Sequence, residues 1–207
     1  MMQKQIGILG GTFNPIHLGH LMLAETAREE LSLDRVIFLP SGISYMKRQT
    51  EILPGELRLE LVRQAVMDNP FFEVSDMELK RKGNSYTWET LKAFQQEDPS
   101  ASYTFLIGAD SLFQIENWRF PERIFASCRI AAAIRGEMDD TDCQNKADEL
   151  KERFGADVVI LHERRMDISS TDIRKRCLEG KSIRYLVPEA VRSLMEQQGL
   201  YQSTKKG

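Results

Sequence analysis

The chain has 207 residues, and its 28 Lys+Arg against 31 Asp+Glu leave a net charge of −3. At roughly 150 residues per domain, this is one full-sized unit able to bury a core without disulfides or metal. Balanced, mildly acidic charge argues against an extended nucleic-acid surface, and no apolar run approaches the roughly 20 residues of a membrane span.

The predicted elements alternate short apolar runs with longer amphipathic segments, the pattern of a parallel α/β sheet flanked by helices. The opening residues hold too short an apolar stretch for a signal peptide. The first strand spans Gln5 to Leu9, and the first helix Leu18 to Leu31. A second strand, Arg35 to Leu39, precedes a helix whose inner face is marked by Leu57, Leu61, Val62 and Ala65. A third strand, Phe71 to Ser75, precedes a helix from Tyr86 to Phe94. The fourth strand is Tyr103 to Ile107 and the fifth Arg129 to Ile134. Gly136 to Gln144 is polar and acidic and reads as a surface loop, overlapping the start of a helix candidate from Asp142 to Phe154. The sixth strand is Asp157 to Leu161. Ser169-Ser170-Thr171 opens another helix, with Ser169 or Ser170 as an N-cap. The last helix starts near Pro188, shows Val191, Leu194 and Met195 as its stripe, and ends at Gly199. No repeat or linker divides the chain, so residues 1–207 are expected to form one domain with a helical portion from about 170. Cys128, Cys143 and Cys177 show no disulfide or zinc spacing and read as reduced thiols in a cytoplasmic protein.

Ligands of such sheets sit at the carboxyl ends of the strands, so the loops there are the informative segments. The first strand runs into Gly10-Gly11-Thr12-Phe13-Asn14-Pro15-Ile16-His17-Leu18-Gly19-His20. The paired glycines are expected to turn sharply and let a ligand approach the backbone. The helix start behind them offers N–H groups and a positive dipole end to phosphate. His17 and His20, three apart, share a helical face and are expected to reach one phosphate chain. The loop lacks the Lys-Ser/Thr of a P-loop and the GxGxxG spacing of a dinucleotide fold.

It resembles the nucleotidyltransferase superfamily marked by GGTFDPxHxGH, with Asn14 where Asp is common. Further blocks narrow the resemblance to bacterial nicotinate-nucleotide adenylyltransferases. Phe38-Leu39-Pro40-Ser41-Gly42 followed by Lys47 is similar to PxGxPPHK, although Ser44-Tyr45-Met46 replaces Pro-Pro-His. Arg58-Leu59 falls at the RLxM helix. Gly83-Asn84-Ser85-Tyr86-Thr87 with Thr90-Leu91 matches GxSYTxDTL, with Glu89 for Asp. Gly108-Ala109-Asp110 with Trp118, Ile168-Ser169-Ser170-Thr171-Asp172-Ile173-Arg174, and Tyr185-Leu186-Val187-Pro188 complete an ordered set over nearly the whole chain.

The resemblance implies a Rossmann-like parallel sheet with helices on both faces, of nucleotidyltransferase type. It implies transfer of the adenylyl group of ATP to nicotinate mononucleotide, giving nicotinate adenine dinucleotide and pyrophosphate. His17, His20 and Lys47 would then act on the reacting phosphates. Gly10, Gly11, Thr12, Phe13, Gly19, Gly108, Asp110, Ile168, Ser169, Ser170, Thr171 and Arg174 would hold ATP. Ser41, Tyr86, Thr87 and Trp118 would hold the mononucleotide, Trp118 by stacking on the pyridine ring. The attacking phosphate oxygen is already ionised, so the chemistry needs alignment and charge stabilisation, with no general base. Mg²⁺ is expected with ATP, held by phosphate oxygens and water. Nucleic acid and membrane are not expected partners, and monomer and homo-oligomer both remain open. The competing readings are a related transferase acting on nicotinamide mononucleotide or phosphopantetheine, and a nucleotide-binding regulator without turnover.

Overall fold

The computed structural model describes residues 3–42, 52–134, 140–162 and 167–202. The described strands are β1 (Gln5–Gly11), β2 (Arg35–Pro40), β3 (Phe72–Val74), β4 (Ser102–Gly108), β5 (Arg129–Ile134) and β6 (Val158–His162). They form one sheet in the order β3-β2-β1-β4-β5-β6, and every pairing is parallel. Strand order reverses between β1 and β4, which opens a crevice at their carboxyl ends.

Alternation along each strand sends side chains to two separate cores. On β5, Ile130, Ala132 and Ile134 enter one core while Ala131 and Ala133 enter the other. The first core is covered by α1 (Leu18–Glu30), α2 (Gly55–Val66), α8 (Ser170–Leu178) and α9 (Glu189–Gln197), through Leu23, Leu61, Ile173 and Val191. The second is covered by α4 (Thr87–Glu97), α5 (Ala109–Leu112), α6 (Pro121–Ser127) and α7 (Asp140–Phe154), through Leu91, Leu112, Ile124 and Leu150. The chain therefore has the α/β architecture expected, with a parallel sheet between two helical layers.

Several boundaries differ from those read in the sequence. Asp140 to Gln144 is helical and not loop, because Asp140 and Asp142 suit the positive end of α7 and Cys143 begins its buried stripe. Residues 135–139 lie outside the described residues. The buried face of α2 is Arg58, Leu59, Leu61, Val62, Ala65 and Val66, and Leu57 is only half-buried. Three short pieces gave no periodic signal: α3 (Met77–Lys80), α5, and a 3₁₀ turn at Ile115–Asn117. The glycine pair does not turn. Gly10 and Gly11 complete β1, opposite Leu39 and Pro40, and the turn comes at Phe13 with φ of +46°. Space explains the glycines instead: a Cβ on Gly11 would lie 3.0 Å from the Phe13 ring.

Candidate active site

A cleft of about 400 Å³ lies where the carboxyl ends of β1, β2 and β4 meet. Gly10, Gly11, Thr12, His20, Ser41, Tyr86, Thr87, Gly108, Asp110 and Trp118 all line it. The fold thus gathers ten residues from five separate stretches of sequence around one space.

At the β1 end, His20 lines the cleft and its Nδ1 accepts the His17 backbone N–H at 3.2 Å. A ring nitrogen that accepts carries no proton, so the neutral imidazole holds its hydrogen on Nε2. His20 is therefore preset as a donor. His17 is buried, only 3% exposed, and stacks on His20 with ring centroids 3.7 Å apart. The two rings do not sit as equals over one phosphate chain; His17 backs His20. Phe13 is also buried and meets His20 edge-on at 5.0 Å. Two first-turn N–H groups of α1 are already engaged: Leu18 donates to the Leu186 carbonyl at 3.0 Å and His20 to His17 at 2.9 Å. This narrows the supply of helix-start donors expected for phosphate.

The Ile168 to Arg174 block does not line this cleft. Ile168 is buried in the first core, and Ser169 caps α8 by accepting the Asp172 N–H at 3.1 Å. Ser170 Oγ donates to the Pro15 carbonyl at 2.8 Å and Arg174 Nη1 to the Asn14 carbonyl at 2.9 Å. Arg174 Nη2 reaches Thr171 Oγ1 at 3.4 Å. Thr171 itself is exposed, and Gly19 is buried in α1. Ser170 and Arg174 thus brace the loop after β1.

The far wall comes from two other segments. Tyr86 is the N-cap of α4, and Trp118 closes the 3₁₀ turn with its ring edge-on to Phe105 at 6.2 Å. α5 starts at Ala109 with Gly108 at the cap position, and Asp110 in its first turn is exposed and lines the cleft. Lys47 and the Ser44-Tyr45-Met46 departure lie outside the described residues.

Three residues near the cleft, Arg119, Glu78 and Tyr201, escaped the sequence reading, and a fourth, Arg58, was matched to the RLxM helix without a role. Arg119 and Glu78 line the cleft, and Arg58 and Tyr201 hold its loops. Arg58 is only 4% exposed and donates to three backbone carbonyls: Leu53 at 3.0 Å, Thr12 at 2.8 Å and Ser41 at 2.8 Å. Burial pulls its guanidinium below the ordinary value, while Tyr201 and Glu78 push back toward the charged form. Tyr201 donates to Asn14 Oδ1 at 2.6 Å, and the same oxygen accepts the Leu53 N–H at 3.0 Å. For Arg58 the signals were its RLxM match and its place as a cation among the apolar residues of a helix. Glu78, in a four-residue helix, offered none.

Among known proteins, a family model described as cytidylyltransferase-like matches residues 8–176. A relative from Lachnoclostridium phytofermentans, described as a probable nicotinate-nucleotide adenylyltransferase, is 44% identical over 96% of this chain and 99% of its own. One from Desulfitobacterium hafniense with the same description is 43% identical over 96% of both chains. The solved structure of a Plasmodium falciparum nicotinic acid mononucleotide adenylyltransferase complexed with APC has a TM-score of 0.77. It covers 96% of this chain and 97% of that one at 17% identity, so it shows the shared fold.

Proposed function

The chain belongs to the nicotinate-nucleotide adenylyltransferases within the cytidylyltransferase-like family, and from that premise we propose how its cleft transfers the adenylyl group of ATP to nicotinate mononucleotide. The observation that carries the reading is His20, its Nδ1 taken up by the His17 N–H, beside Gly10, Gly11 and Thr12 at the switch point of the sheet.

ATP lies over the β1 exit. A phosphate oxygen of the mononucleotide attacks the ATP α-phosphorus in line as the bond to the β-phosphate bridging oxygen breaks. Pyrophosphate departs, nicotinate adenine dinucleotide remains, and no proton has to move. Charge builds on the α-phosphate and on the leaving group, where His20 and the Gly10–Thr12 backbone supply donors. His17 holds the His20 ring in its plane. Lys47, assigned by resemblance, adds charge to the triphosphate. Gly108 and Asp110 face the adenylate. Ser170 and Arg174 act on ATP through the Asn14-Pro15 loop that they brace, with Ser169, Thr171 and Ile168 setting the position of α8. Ser41, Tyr86, Thr87 and Trp118 receive the mononucleotide.

Mg²⁺ bound with ATP would neutralise part of the triphosphate charge. Among the described residues no group of three or more His, Cys, Asp or Glu side chains could hold a metal ion, and the ion would be held by phosphate oxygens and water. The cytoplasm, where ATP and thiols such as the three free cysteines are at home, is the proposed location.

The test is pyrophosphate release from ATP with each acceptor in turn. Release should depend on nicotinate mononucleotide. Release driven equally by phosphopantetheine, or with no acceptor able to drive it, would overturn the assignment.

A further inference from the structure

The peptide between Ser41 and Gly42 is held from both sides by buried, charged side chains. Its carbonyl accepts from Arg58 Nη2 at 2.8 Å, and its N–H donates to Glu78 Oε2 at 3.2 Å. Glu78 is 8% exposed and lines the cleft. Its second oxygen accepts from Thr90 Oγ1 at 2.8 Å, and Thr90 Oγ1 in turn accepts from Arg81 Nη1 at 3.2 Å. Thr90 is fully buried in α4, three residues and therefore one turn beyond Thr87. One carboxylate thus ties the exit of β2 to the helix that begins at Tyr86.

Space at this junction is already used. A Cβ on Gly42 would lie 2.6 Å from the Glu78 carbonyl oxygen and 2.5 Å from Ser85 Oγ. Ser41 and the Ser85–Thr87 segment are therefore packed to a fixed separation. A free carboxylate on the wall of a cleft for two anionic substrates would repel them. Here both oxygens are committed to donors, and two guanidiniums offset the charge, one across the peptide and one across Thr90.

We infer that Glu78 is a positioning residue for the mononucleotide half of the cleft, setting the gap between Ser41 and Tyr86–Thr87. The inference rests on the assignment of that half to nicotinate mononucleotide. It differs from the part played by Arg58, which also holds the Thr12 carbonyl and so serves both halves.

Steady-state pyrophosphate release, with each substrate varied separately, tests it. Glu78→Ala should raise KM for nicotinate mononucleotide on the order of tenfold, leaving KM for ATP within about twofold and kcat little changed. Glu78→Gln should recover most of the loss, since an amide oxygen can accept from Gly42 and an amide N–H can donate to Thr90 Oγ1. Equal rises in both KM values, an unchanged KM for the mononucleotide, or a Gln variant as poor as Ala would overturn the inference. Should Glu78→Ala fail to fold, Thr90→Val cuts the tie to α4 while keeping the side-chain volume. It should raise the same KM, by a smaller factor, and no rise would be equally decisive. A wild-type enzyme that ignores nicotinate mononucleotide would sink the functional assignment itself, and this inference with it.

Discussion

The two halves of the cleft are built in different ways. The β1 side, which the proposal gives to the reacting phosphates, draws its loop, its donor and the ring that backs the donor from one stretch, Gly10 to His20. The opposite side, which the proposal gives to the mononucleotide, is assembled from Ser41, Tyr86–Thr87 and Trp118, three segments that meet only because β2, α4 and the 3₁₀ turn converge. A contiguous site carries its geometry in local backbone form. An assembled one needs fasteners between segments, and here these are Arg58 and Glu78. The difference predicts that single residues in the first half set the rate, whereas those in the second set affinity and selectivity.

Arg58 spans both halves and should show the largest effect. Arg58→Ala strands three carbonyls and leaves Glu78 with only the Arg81 guanidinium across Thr90, a loss on the order of 3–5 kcal/mol of stability. Denaturant unfolding measures it, and a loss below about 1 kcal/mol would mean that the loops hold themselves. Next comes His20→Ala, expected to lower kcat by roughly 10²-fold or more with little change in unfolding midpoint. Near-normal turnover would remove His20 from the chemistry and blur the contrast between the halves.

Selectivity sharpens the other side. Nicotinate presents acceptors only, while nicotinamide sets an NH₂ against the backbone N–H groups at the start of α4. Two such mismatches at about 1–3 kcal/mol each give roughly 10²-fold discrimination in kcat/KM. Comparable values for acid and amide mononucleotides would show a pocket not organised around an anion. Trp118→Ala should weaken both substrates alike, by around tenfold, as expected for loss of a stacking surface worth up to about 1.5 kcal/mol. A change confined to one substrate would assign Trp118 a polar role.

The smallest expected effect concerns Tyr201. Burial, the largest influence, lifts its phenol above the ordinary value of 10. A raised acid contributes stability that is fully present below the unfolded value and is lost as pH climbs above about 10. Tyr201→Phe should cost about 1 kcal/mol near neutrality through the lost bond to Asn14, and should flatten the alkaline decline. An unchanged decline in the variant would place the alkaline sensitivity elsewhere.

Much of this protein was legible in one dimension. The six strands read from apolar runs all exist, with ends displaced by at most two residues, and the four inner ones, buried on both faces, leave a continuous apolar signature. The ordered motifs identified the family for a related reason: loops at strand ends carry chemistry in contiguous residues. The His17/His20 spacing placed both rings at the mouth of α1, but not their inequality. Only packing decided that His17 is buried and that His20 faces the cleft.

What the sequence alone determined was the reaction class, the order of the elements and the residue types at the strand ends that line the cleft. These depend on short-range patterns that survive without coordinates. The tertiary structure decided which side chains hold the walls apart. Arg58 bridges Thr12, Ser41 and Leu53; Glu78 joins Gly42 to Thr90; Tyr201 reaches Asn14 across 187 residues. Such contacts have no periodicity and no fixed spacing, and come into being only when distant backbone groups are buried together and must find partners.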